Sequence, residues 1–87
     1  MGLDEYMSQK KKVLGFQVII FPESGGYSVM APGIGIADQG NTEEEALMHL
    51  KEGIELYMEC LSPKERKELQ KKVSESTFTK LNVEIPA

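Results

Sequence analysis

Tryptophan is missing from this chain of 87 residues, and cysteine and histidine occur once each, as Cys60 and His49. A single thiol excludes an intramolecular disulfide framework, and one cysteine with one histidine cannot supply the ligands of a structural zinc site. No apolar run approaches the roughly 20 residues that a membrane helix needs. The N-terminal MGLDEYMSQKKK has no apolar stretch of the kind that marks a secretory signal. A cytoplasmic location away from membranes is the expectation. Basic charge is scarce too, with 10 Lys and Arg against 14 Asp and Glu and a net charge of −4. Nonspecific binding to nucleic acid, which relies on several phosphate contacts, is therefore not expected.

Hydrophobic residues make up 40% of the chain and charged residues 28%, the balance of one small folded domain. A chain of this length buries only about 60–70% of the surface its unfolded form exposes, so its core must be thin and self-association would support it. Charge is unevenly spread. Residues 42–61 carry Glu43, Glu44, Glu45, Glu52, Glu55 and Glu59 against Lys51, a net of −5, whereas residues 62–74 are net +3. The acidic stretch suits a basic protein partner.

Residues 1–12 form a polar lead-in ending in three lysines, with room for one helical turn holding Leu3, Tyr6 and Met7. The run Val13–Phe21 is rich in β-branched and aromatic residues and predicts a strand that is apolar on both faces. Pro22–Gly26 reads as a hairpin connection, its glycines supplying positive φ. Tyr27–Ala31 returns as a second strand with Tyr27, Val29 and Ala31 on one face; Pro32-Gly33 ends it, and Ile34–Gln39 is a weaker third strand closed by Gly40. Thr42 and Glu45 predict a capping box at the start of a helix whose stripe is Ala46, Leu47, Leu50, Ile54, Tyr57, Met58 and Leu61. Gly53 beside that stripe points to a close approach of the helix backbone to the sheet. Ser62, Pro63 and Glu65 open a second, surface-lying helix, and Thr77–Ile85 alternates as a half-exposed fourth strand.

The expected class is α+β, in the order β-β-β-α-α-β. Three antiparallel strands meander, and a right-handed crossover then lays the fourth beside the first. The first strand becomes interior in a four-stranded, mostly antiparallel sheet with one main helix packed on one face. The other face of that strand, marked by Gln17, Ile19 and Phe21, has no cover within the chain. A twin subunit, in a dimer or tetramer, is the simplest cover.

The segments Phe16-Gln17-Val18-Ile19-Ile20, Gly25-Gly26-Tyr27-Ser28-Val29, Pro32–Gly35, and Gln39-Gly40-Asn41-Thr42 through Ala46-Leu47 and on to Tyr57 resemble the HicB antitoxin family over about residues 13–61. The most specific part is Gln-Gly-Asn-Thr-x-x-Glu-Ala leading into the helix. The resemblance implies a truncated ribonuclease-H-like domain over residues 13–87. It implies a partner as well: HicA, a small basic toxin that cleaves messenger RNA and that the antitoxin occludes. Family members often add a C-terminal operator-binding domain; here the chain ends at Ala87, and no direct DNA binding by this polypeptide is expected. An orphan structural or ligand-sensing module on the same fold is the alternative.

Ribonuclease-H chemistry needs several carboxylates converging on metal ions, one of them in the middle of the first strand. The first strand has none, so no catalytic residue, metal or cofactor is expected. His49 lies one helical turn after Glu45 and reads as a surface histidine or its ion-pair partner, rather than as a base. Cys60, beside Glu59, lacks the electropositive setting of a reactive thiol. Gly33, Gly35 and Gly40 serve turns and not a phosphate loop, because they fall between strands. Met30, Met48 and Met58 fill the core or offer adaptable contacts. Two zones are candidate partner contacts: the acidic helix side formed by Glu44, Glu52, Glu55 and Glu59, and the strand end Asp38, Gln39 and Gly40 with Tyr27.

Overall fold

A computed structural model describes residues 13–86. The lead-in of residues 1–12 lies outside them. Five elements follow in order: β1 (Ile19–Glu23), β2 (Gly26–Ala31), β3 (Ile36–Gly40), α1 (Glu43–Cys60) and α2 (Pro63–Glu75). The three strands form one antiparallel sheet with β2 at its centre. The class is α+β, as the alternation of patterns implied.

The hairpin between β1 and β2 closes on Ser24 and Gly25, with Gly25 at φ 85°, a left-handed conformation that a side chain would oppose. The next turn wraps tightly: the N–H groups of Ile34 and Gly35 both donate to the Ala31 carbonyl, at 3.2 and 2.9 Å, and Gly35 takes φ 70°. That wrap consumes Ile34 and Gly35, which is why β3 starts at Ile36 and not at the expected Ile34.

Both helices begin where their caps dictate. The Thr42 hydroxyl accepts from the Glu45 N–H at 3.0 Å, and the Ser62 hydroxyl accepts from the Glu65 N–H at 3.1 Å. At Ser62 the box is reciprocal, with the Glu65 carboxylate accepting from the Ser62 N–H at 2.9 Å. At Thr42 it is displaced by one residue, because the Glu45 carboxylate accepts instead from the Asn41 N–H at 2.6 Å. The bond therefore ties the end of β3 to the first turn of α1.

The core is small. Val29, Ala31, Ala46, Leu50 and Ile54 are buried, with Phe16, Val18, Tyr27, Ile34, Ile36 and Met58 packed around them. Val29 pairs with Ile20 on one side and Asp38 on the other, so these residues share the helix-bearing face; Ile19 and Phe21 pair with Met30 and Ser28 on the opposite face. α1 packs chiefly on β3 and then on β2. It leaves β1 uncovered on both sides: Ile20 is 37% exposed on the helix face and Phe21 46% on the other.

Three expectations are corrected. Among the described residues the sheet has three strands and not four, since Thr77–Ile85 forms no ladder and is exposed throughout. The first strand is consequently an edge and not interior, and it begins at Ile19 rather than Val13. Pro22 fits that position: it pairs opposite Tyr27 within β1, and proline, which has no N–H to donate, is confined to strands at a sheet's edge. Finally, Gly53 answers no close approach, because a Cβ there would meet only the Ile36 methyl group at an ordinary 3.9 Å.

Candidate functional site

The tightest point of the molecule is where β3 runs into α1. A Cβ on Gly40 would fall 2.5 Å from the Ala46 nitrogen and 2.9 Å from the Ala46 Cα and the Glu45 carbonyl carbon. One on Gly26 would fall 2.5 Å from the Gly40 carbonyl oxygen. Real carbon contacts begin near 3.5 Å, so only glycine at these two positions lets the first turn of α1 rest on the sheet. The Gln39-Gly40-Asn41 segment is thus fixed from both sides.

Register then gathers the strand-end residues singled out in the sequence. Tyr27 pairs with Gly40, Ser28 with Gln39 and Val29 with Asp38. Tyr27 is half-buried against the core, whereas Asp38 and Gln39 are exposed. Tyr27, Gln39 and Gly40 line an open hollow of about 320 Å³ with Glu23, Gly25 and Asn41. The Asp38 carboxylate accepts from the Gln39 N–H at 2.8 Å.

The sequence makes His49 a surface histidine or the ion-pair partner of Glu45. The His49 Nδ1 lies 2.8 Å from the Gln39 carbonyl oxygen and donates to it, pinning the second turn of α1 to the end of β3. Glu45 is occupied at Asn41. The bond to the Gln39 carbonyl raises the His49 pKa above the ordinary 6.5; desolvation opposes it, and the carboxylates of Glu45, Asp38 and Glu52 add lesser contributions to the rise. Histidine spacing along the helix could not reveal this contact, because its partner is a backbone oxygen ten residues away on another element.

The same four groups show how the two expected contact zones relate. His49 bonds the Gln39 carbonyl next to Asp38 on β3, and Glu45 and Glu52 lie one turn to either side of it on α1, so the acidic strand end and the acidic helix side meet there. Glu44, Glu52, Glu55 and Glu59 recur at steps of eight, three and four, which places them on one side of α1. All four are exposed. Lys51 pairs with Glu55 at 2.7 Å, and this bond raises the Lys51 pKa. No other ion pair forms among the described residues, so Glu44, Glu52 and Glu59 have no ion-pair partner among them.

The self-association residues lie on the sheet face away from α1: Ile19 is half-buried, Phe21 is exposed, and Gln17, just before β1, is exposed. Cys60 is a free, exposed thiol at the end of α1, and Met48 is 53% exposed while Met30 and Met58 are half-buried. Among the described residues no three His, Cys, Asp or Glu side chains stand together so as to hold a metal ion. No helix among them is long and apolar enough to cross a membrane.

The chain is therefore a small α+β protein, with a three-stranded antiparallel sheet, a main helix on one face and an acidic, solvent-facing helix side. No protein-family model matches it, and neither a curated protein nor a solved structure is found to be similar.

Proposed function

We propose that this protein is a HicB-like antitoxin: a non-enzymatic module that binds and masks a small basic, HicA-like toxin that cleaves messenger RNA. The observation that carries the reading is the junction at His49, whose Nδ1 bonds the Gln39 carbonyl beside Asp38 at the end of β3 while Glu45 and Glu52 flank it on α1. A rigid scaffold displaying exposed carboxylates steers a cationic partner into register and accelerates its encounter. The Gln39–Thr42 segment, on which the HicB resemblance is most specific, is also the segment fixed by Gly26, Gly40 and the Glu45–Asn41 bond.

The hollow beside Tyr27 favours the same reading over a ligand-sensing role. Its lining is mostly backbone and polar groups, whereas small-molecule sites are concave and mostly apolar. It serves better as part of a protein-contact surface.

The test begins in the genome, with a neighbouring reading frame for a short basic protein bearing a histidine. Co-expression with that protein should relieve its toxicity and yield a salt-sensitive complex. Replacing Glu44, Glu52 and Glu59 together by lysine should abolish both effects while leaving the helical signal intact. A neighbouring toxin that binds the triple variant as well as the parent would defeat the proposal, and so would the absence of any such neighbour.

A further inference from the structure

We infer that two copies of this chain form a reciprocal, strand-exchanged dimer, in which Thr77–Ile85 of each copy pairs along the open edge of β1 and the segment before it in the other. The inference is independent of the toxin reading. It begins with the tail, whose nine residues 77–85 alternate Thr77, Thr79, Leu81, Val83 and Ile85 on one side with Phe78, Lys80, Asn82 and Glu84 on the other. That is the pattern of a strand with one strongly apolar face. Within one chain it has no use: Leu81 is 84% exposed, Ile85 81%, Val83 70% and Phe78 61%.

The acceptor is equally incomplete. The outer edge of β1 is unpaired among the described residues, and an exposed edge of this kind is a template for another strand. Below it, an apolar groove of about 510 Å³ runs between the 13–18 segment and α1, lined by Leu14, Phe16, Val18, Leu47, Ile54 and Met58. The available ladder spans Val13–Phe21, nine residues before Pro22 stops it, and the tail supplies nine residues. Leu81, Val83 and Ile85 are suited to the groove. Phe78 then falls on the face that holds Ile19 and Phe21.

The geometry of α2 decides that the donor is a second copy. α2 has no buried residue, and it is capped at both ends by Ser62 and Ser76, so it acts as a stiff spacer. Thirteen helical residues and ten extended ones reach about 50 Å, which accounts for most of the molecule's 66 Å long axis. The tail is carried away from its own sheet. Four large side chains at about 100 Å² apiece, with the surface they cover, come to about 800 Å² per tail and about 1,600 Å² for the reciprocal pair, the size of a stable interface.

Analytical ultracentrifugation and amide hydrogen exchange on the full chain test this together. At micromolar concentration the parent protein should sediment as a dimer, with slow exchange at both 13–21 and 77–85. Leu81→Asp should raise the dissociation constant about 1,000-fold, since each copy loses a buried leucine contact, and should free both segments to exchange. Val83→Asp should act in the same way. Both residues are exposed within one chain, so the helical signal of the variants at 222 nm should be unchanged. A monomeric parent overturns the inference, including a monomer with a protected tail, which would mean closure within one chain. A dimer that survives both substitutions overturns it as well, and would place association on the open face at Ile19 and Phe21.

Discussion

Gly40→Ala places a methyl group where the backbone of α1 already lies. The new Cβ would stand 2.5 Å from the Ala46 nitrogen and 2.9 Å from two further backbone carbons. None of these atoms belongs to a flexible side chain, so the first turn of the helix must retreat by about 1 Å to restore ordinary contact distances. That retreat lifts Ala46, Leu50 and Ile54 away from Val29 and Ala31, which together are the whole buried core of the described residues. It also stretches the Asn41–Glu45 bond of 2.6 Å and the His49–Gln39 bond of 2.8 Å. Overpacking of this kind costs about 1–3 kcal/mol, and each strained hydrogen bond adds about 1 kcal/mol. The lower end of the total, about 3 kcal/mol, is already a large share of the stability available to a domain this small. Thermal unfolding followed at 222 nm should show Tm falling by about 12–24 °C, at 4–8 °C per kcal/mol for a domain of this size. Gly33→Ala is the control, because nothing lies within 4 Å of the added atom there. A Gly40→Ala protein that melts within 2–3 °C of the parent, the shift expected of a neutral surface change, would refute the claim that helix and sheet are in contact through this glycine.

Other substitutions test the remaining links. Gly53→Ala should stabilise the protein by about 0.5–1 kcal/mol in urea denaturation, because the added methyl meets Ile36 at 3.9 Å and the helix loses a flexible residue; destabilisation would restore the close approach expected from sequence. Leu50→Ala empties the centre of the core, where Leu50 is 2% exposed, and should cost about 2–5 kcal/mol by the same measurement. His49, the sole histidine, should titrate in proton NMR with a midpoint above 6.5. Since folding raises its pKa, its stabilising contribution is complete below pH 6.5 and is lost as pH rises through the folded-state value. His49→Ala should abolish that pH dependence, and an unchanged profile would show that the Gln39 contact does not hold the proton.

The helices were legible in the sequence because their signals are local. Thr42 and Glu45, or Ser62, Pro63 and Glu65, sit within one turn of the bonds they make, and the apolar spacing picked out Ala46, Leu50 and Ile54, which are buried, together with Leu47 and Tyr57, which are exposed. Gly25 and the alternation of Tyr27, Val29 and Ala31 likewise defined the hairpin and its inner face. Candidate contacts on α1 followed from the helical period alone, whereas the bond of His49 to the Gln39 carbonyl beside Asp38 needed β3 and α1 to be brought together.

Strand partnership belongs to the other category. Val13–Val18 and Thr77–Ile85 have the composition of strands, yet neither forms a ladder among the described residues, because a strand is completed by hydrogen bonds to residues that its own sequence does not specify. Composition alone determined which segments are able to pair, cap or turn. Tertiary structure decided which of them meet: it set β1 at the edge, placed Gly40 under the helix and left the tail unpaired among the described residues, since each of those outcomes depends on distances between elements far apart along the chain.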